Sequence, residues 1–205
     1  MLLVSGVAGA CSGGLERVDG PCPSGQELRN NTVTPSVGVW RGCAGTDSEG
    51  NYRRQGRWDF FHPNGEQRGE GSYVDGIPVG GETDFTGLPS DGREGLWVVW
   101  YTNGQRRFEG GYRDGELEGF STEWFANGQK RQERSYRDGE VEGLTTQWFT
   151  DGQKSWEVMY RDGQIEGLST LWWYNGQKMS EETYLNGTRT SRTEWDESGN
   201  QINAD

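Results

Sequence analysis

The sequence predicts an all-β chain, an elongated antiparallel array of β-hairpins forming a single-sheet meander. Three observations predict it. The turn pairs Asn103-Gly104, Asn127-Gly128, Asp151-Gly152 and Asn175-Gly176 recur every 24 residues. A second reversal, "YRDG" or "YLNG", sits at a fixed distance after each of them. No stretch of the chain carries helical periodicity. A fixed period of this length marks a solenoid, propeller or array, in which each unit buries its apolar groups against its neighbours.

The copies hold their positions. Tyr73, Tyr112, Tyr136, Tyr160 and Tyr184 all follow their turn glycine by eight residues, and Glu70, Glu109, Glu133, Glu157 and Glu181 by five. The copy around Asn64-Gly65 precedes Gly104 by 39 residues, so about 15 extra residues, 81–95, read as an irregular insertion. The last turn, Ser198-Gly199, arrives one residue early, as a capping copy would. Asn-Gly and Asp-Gly between aromatic runs are strong hairpin signals and predict type I′ turns, which need positive φ at both central residues. Two reversals per period leave two strands of roughly seven to nine residues each. The repeat domain therefore spans 51–205, preceded by a tether and cysteine-containing cap at 12–50 and a signal-like segment at 1–11.

Composition narrows the function. The net charge is −12 and the pI about 4.6. A nucleic-acid binder needs a basic footprint for phosphates, so that class is set aside, as is electrostatic docking on anionic lipid. Ten Trp, eight Tyr and 34 Gly at fixed offsets argue for a thin folded sheet rather than a solvated tail.

The salient polar groups recur in every copy, whereas a catalytic site needs one constellation of unlike groups. The Glu row (Glu109, Glu133, Glu157, Glu181) is expected to meet a basic neighbour or a backbone group across the strand, the candidates being Arg106, Lys130, Lys154 and Lys178, two residues after each turn. His62, the single histidine, has no second His or Cys nearby to make a common metal site and no nucleophile to serve as a base. The segment Asp47–Asn51 reads as a turn, since it lacks the alternating ligands of a calcium loop. No catalytic residue, metal or cofactor is expected, and the chain is expected not to be an enzyme.

The aromatic rows are the candidate binding residues. Trp100, Trp124, Trp148 and Trp172 occupy one position, and Tyr101, Phe125, Phe149 and Trp173 the next. Strand alternation places consecutive residues on opposite faces. Two readings stand: both rows pack as core, or one row is a binding strip.

The unit W-[FYW]-x-N-G-Q-K-x-x-E-x-x-Y-x-D-G-x-x-x-G resembles the MORN repeat, in the variant form found in bacterial YwqK-type antitoxin proteins. The likeness covers about residues 56 to 200. It implies a β-hairpin array and an interaction or scaffolding role, most simply with a protein partner. Phe61 and His62 depart from it, standing where later copies have Trp and a second aromatic. The cell-wall or glycan-binding alternative rests on stacked rings, although choline- and glucan-binding repeats lack the Q-K-x-x-E-x-x-Y half seen here. A toxin-neutralising antitoxin is implied by the resemblance alone.

The start, "MLLVSGVAGAC", resembles the end of a bacterial lipoprotein signal with Cys11 as the lipidated residue. Cys22 and Cys43 then remain as a pair in Pro/Gly-rich surroundings suited to a disulfide. Together these imply a lipid-anchored or secreted protein of the cell envelope, reaching the membrane only through the anchor, or a cytoplasmic one if the segment is not a signal.

Overall fold

A computed structural model describes residues 27–31, 39–46, 48–49, 52–76 and 86–204. The first-mentioned strands, β1 (Glu27–Asn31) and β2 (Val39–Thr46), lie inside the segment expected to be tether and cap, yet they pair antiparallel with each other and β2 pairs with β3 (Tyr52–Phe61). The sheet continues through β4 (Gln67–Gly76), β5 (Arg93–Trp100), β6 (Arg106–Arg113), β7 (Glu116–Trp124) and β8 (Lys130–Arg137). It then runs through β9 (Glu140–Val141), β10 (Gly143–Trp148), β11 (Lys154–Arg161) and β12 (Gln164–Trp172). It ends with β13 (Lys178–Leu185), β14 (Thr188–Trp195) and β15 (Gln201–Ala204). All belong to one open antiparallel sheet in sequence order, β9 being a two-residue strand that pairs with β8 just ahead of β10. At about 4.8 Å per strand the sheet extends on the order of 60 Å. The hairpin array is therefore as the period predicts, and strand begins at Arg93, inside the segment expected to be irregular.

The two kinds of reversal differ, and one expectation is corrected. At the Asn-Gly turns the Gly104 amide donates to the Tyr101 carbonyl at 3.0 Å and the Tyr101 amide to the Gln105 carbonyl at 2.9 Å. Only the glycine has positive φ there, 77° at Gly104. This is a three-residue loop, a type I turn followed by a left-handed glycine, and not a type I′ turn. The type I′ pair sits at the second reversal, where Asp114 (52°) and Gly115 (87°) both have positive φ, as do Asp138, Asp162 and Asn186 with their glycines. The reason is the strand end. A β-bulge lies just before each tryptophan, between Val99 and Trp100, Glu123 and Trp124, Gln147 and Trp148, and Leu171 and Trp172. The extra residue changes the loop length, and loop length selects the turn.

The densest packing lies in the early repeats. Trp58, Phe60, Tyr73, Leu88, Trp97, Val99, Phe108 and Tyr112 form one buried cluster on one face, called here the packed face. The rings meet edge-on, Tyr73 and Trp97 with centroids 4.8 Å apart. Each indole lies flat on a glycine of the preceding strand: a Cβ at Gly42 would come within 2.2 Å of Trp58, and one at Gly71 within 2.2 Å of Trp97. The end of the insertion covers the cluster. Leu88 is buried over Gly69, and Arg93, fully buried, donates to the Tyr112 hydroxyl at 2.7 Å and to the Leu88 and Pro89 carbonyls. Its guanidinium also lies 4.6 Å from the Trp97 ring centroid and 4.8 Å from that of Tyr112.

Candidate functional site

The opposite face carries the repeated side chains singled out in the sequence. One row of cross-strand neighbours runs Val98, Glu109, Thr122, Glu133, Thr146, Glu157, Thr170, Glu181, Thr193. Identical residues are thus two strands apart, about 10 Å, with a threonine between them. Each glutamate is answered by the expected cation, though along its own strand and not across from a neighbouring one, because the bulged residue between them brings both to one face: Arg106 to Glu109 at 2.6 Å, Lys130 to Glu133 at 2.5 Å, Lys178 to Glu181 at 2.5 Å, and Lys154 to Glu157. No carboxylate of this row is left poised as an acid or base.

The tryptophan row shares this face, and the same lysines cover it. Lys130 stands 5.8 Å from the Trp148 ring centroid, Lys154 6.0 Å from Trp172, and Lys178 5.8 Å from Trp195. Each ammonium bridges a carboxylate of its own repeat and an indole of the next. The rings of Trp100, Trp124, Trp148 and Trp172 are half-buried, neither core nor open platform.

The second ring row lies beyond the strand ends. The bulge before each tryptophan ends the strand, so Tyr101, Phe125, Phe149 and Trp173 lie in the turns. They link repeats there. The Tyr101 hydroxyl donates to the Trp124 carbonyl at 2.8 Å and the Trp173 indole to the Trp195 carbonyl at 3.1 Å. His62 stands at the same repeat position and its Nε2 reaches the Trp100 carbonyl at 3.1 Å, which makes that nitrogen the donor. Phe149, which has no donor, packs on Tyr174 with centroids 5.1 Å apart.

Other side chains clamp the turns together. Asn103, Asn127 and Asn175 donate from Nδ2 to the carbonyls of Ala126, Thr150 and Glu197 in the next turn, at 2.7–2.8 Å. On the other edge, Glu94, Glu118, Glu142 and Glu166 accept from the backbone amides of Asp114, Asp138, Asp162 and Asn186 at 2.7–3.1 Å.

A further row went unread in the sequence analysis. Leu96, Phe120, Leu144 and Leu168 step by 24 residues and are 61%, 84%, 49% and 54% exposed. They lie two residues along the strand from Val98, Thr122, Thr146 and Thr170, on the same face. Met159, the cross-strand partner of Leu144, extends the stripe at 43% exposure. The signal is in the sequence: the spacing is as regular as that of the tryptophans.

Among the described residues no cluster of His, Cys, Asp and Glu is arranged to hold a metal ion, and no helix is long and apolar enough to cross a membrane. Cys43 is buried and disulfide-bonded; Cys11 and Cys22 lie outside the described residues, so the lipidation site and the pairing do too. No curated protein matches the chain. Two segments, 93–114 and 165–186, each a hairpin running into a type I′ turn, match the MORN repeat variant, a kind of repeat that generally serves protein or membrane interaction.

Proposed function

We propose that the protein is a non-catalytic protein-interaction or scaffolding module, anchored at the cell envelope through Cys11, that binds its partner with the face carrying the threonine–glutamate row. The observation that carries this reading is the exposed apolar row Leu96, Phe120, Leu144 and Leu168, repeated in register on a face whose other repeated groups are already paired within the chain. Structural demands explain the lysine, glutamate and tryptophan rows. They do not explain four solvent-exposed large apolar side chains on every second strand, an arrangement typical of recognition surfaces.

The glycan alternative finds less support. Sugar stacking needs free indole faces, and Lys130, Lys154 and Lys178 stand over those of Trp148, Trp172 and Trp195. A toxin-neutralising role of the YwqK type has only the repeat likeness behind it. An enzymatic role has no geometry behind it, since Glu109, Glu133, Glu157 and Glu181 each have their own cation.

The test is affinity capture from the native cell envelope with the full chain carrying Cys11→Ser, alongside the same chain also carrying Phe120→Ser. A stoichiometric protein captured by the first and lost with the second supports the reading. Capture of saccharide alone, or of the same protein by both, overturns it. Fractionation of the unmodified chain against Cys11→Ser reads the anchor independently: release from membranes is expected.

A further inference from the structure

Resting on the interaction reading, the geometry points to one kind of occupant for the exposed stripe: we infer that it docks a basic amphipathic α-helix of about 20 residues, lying across the strands. Three features carry this.

The first is pitch. Leu96, Phe120, Leu144 and Leu168 sit on β5, β7, β10 and β12, successive copies of one strand. They are about 10 Å apart, since two strand spacings separate them. A helix rises about 10.5 Å in seven residues, so a heptad pattern brings one apolar residue to each anchor, and four anchors need about three heptads.

The second is backbone chemistry. Every strand under the stripe has both neighbours in the ladder, so the face offers no free amides or carbonyls. An extended segment laid on it would leave its own peptide groups unpaired against apolar side chains, whereas a helix satisfies them internally.

The third is charge. The stripe lies beside the type I′ turns, where Arg113–Glu118 and Arg137–Glu142 each hold one arginine against three carboxylates. Asp114, Glu116, Asp138 and Glu140 are exposed there. The far turns carry the cations, Arg106, Arg107, Lys130, Arg131, Lys154 and Lys178. The sheet is therefore polarised, acidic along the border nearest the stripe. That border, on a chain whose net charge is −12, opposes a second copy stacked on the same face and opposes an anionic bilayer, and it attracts a flank of lysines or arginines.

The probe is a synthetic peptide of about 24 residues with Leu at every seventh position, Ala between them on that face and Lys on both flanks. A scrambled peptide of identical composition is its control, and binding to the full chain is read by fluorescence anisotropy. The heptad peptide is expected to bind at least tenfold more tightly than the scrambled one. Phe120→Ser and Leu144→Ser are each expected to weaken it tenfold or more with the melting temperature unchanged, because both side chains are largely exposed. Glu116→Lys with Glu140→Lys is expected to weaken it several-fold and to reduce its salt dependence. Equal binding of the scrambled peptide, or unchanged binding by Phe120→Ser, overturns the inference. So does a dimer of the protein, or attachment to anionic vesicles, that Phe120→Ser abolishes. An envelope partner captured through the stripe by a non-helical segment overturns the helix and leaves the interaction reading standing; capture of no protein removes the reading beneath it.

Discussion

The early and late repeats build the same backbone from opposite materials. Trp58 and Trp97 occupy one repeat position; 24, 48 and 72 residues after Trp97 it holds Ser121, Thr145 and Ser169, all buried. Phe108 is followed at its position by Gln132, Trp156 and Ser180. In the early part large rings lie on glycines and a covering segment, Thr86–Arg93, closes a second layer. In the late part the packed face carries the small or polar side chains Ser121, Gln132, Thr145, Ser169 and Ser180 beside Val158 and Trp156, whose indole donates to Ser169 at 2.9 Å. The late hairpins persist because turn clamps and the lysine–glutamate–tryptophan ladder hold neighbours together without a thick core. A repeat module can thus be stabilised by burial or by lateral bonding, and this chain uses each in turn.

The comparison can be broken most forcefully at Trp97. Trp97→Ala is expected to lower stability by about 3–5 kcal/mol, as for a fully buried aromatic, while Trp148→Ala should lose only about 1–2 kcal/mol of partial burial and cation–π contact. Urea denaturation of both variants compares them, and equal losses would erase the distinction between the regions. Next comes the glycine seat. Gly71→Ala puts a methyl within 2.2 Å of the Trp97 ring and should cost about 1–3 kcal/mol through overpacking. The same change at Gly128, whose left-handed backbone is at the surface and whose nearest neighbour is the Gln105 side-chain end, tests strain without the ring.

Two substitutions sharpen the picture of the late repeats. Asp151 stands where Asn103, Asn127 and Asn175 stand in their own turns and cannot donate to the following turn; Asp151→Asn supplies the missing donor and should add about 0.5–1.5 kcal/mol. Thr145 is fully buried and its Oγ1 finds no hydrogen-bond partner among the described residues. Thr145→Val removes that hydroxyl at nearly constant shape and should raise stability by about 1 kcal/mol. Thermal melts of the two check both signs.

The smallest effect is electrostatic and belongs to the early region. Burial pushes the Asp59 carboxyl above its ordinary value, outweighing the nearby Arg57 guanidinium 3.3 Å away. A raised folded pKa means that the native state holds the proton more firmly than the unfolded chain. The contribution is therefore fully present below the unfolded pKa, near 3.8, and is lost as pH rises through the folded value. Asp59→Asn should flatten that part of the stability–pH curve, seen by denaturation at pH values on either side; an unchanged slope would show that Arg57 compensates for burial.

How far the residues alone led can be judged position by position. The 24-residue period, the alternation of turn dipeptides and the pairing of Glu109, Glu133, Glu157 and Glu181 with a cation were legible because each depends on local spacing or on the nearest strand. The same spacing held Leu96, Phe120, Leu144 and Leu168 in plain view. The core was less legible. Trp97 and Trp100 lie three residues apart in β5 and so face opposite ways, but which of the two faces is covered depends on Leu88 and Arg93 closing over Trp97.

That asymmetry has a physical cause. Chain reversal and strand length follow from what glycine, asparagine and aspartate permit at a single peptide, so the linear order specified an all-β hairpin array with repeated, mutually neutralised polar groups. Which turn is type I′ and which ring row leaves the strand depend on one extra residue per hairpin. Its position is set by hydrogen bonding to both neighbouring strands at once. Only the assembled sheet supplies those neighbours, so only tertiary structure settled which side chains are buried and which stay exposed.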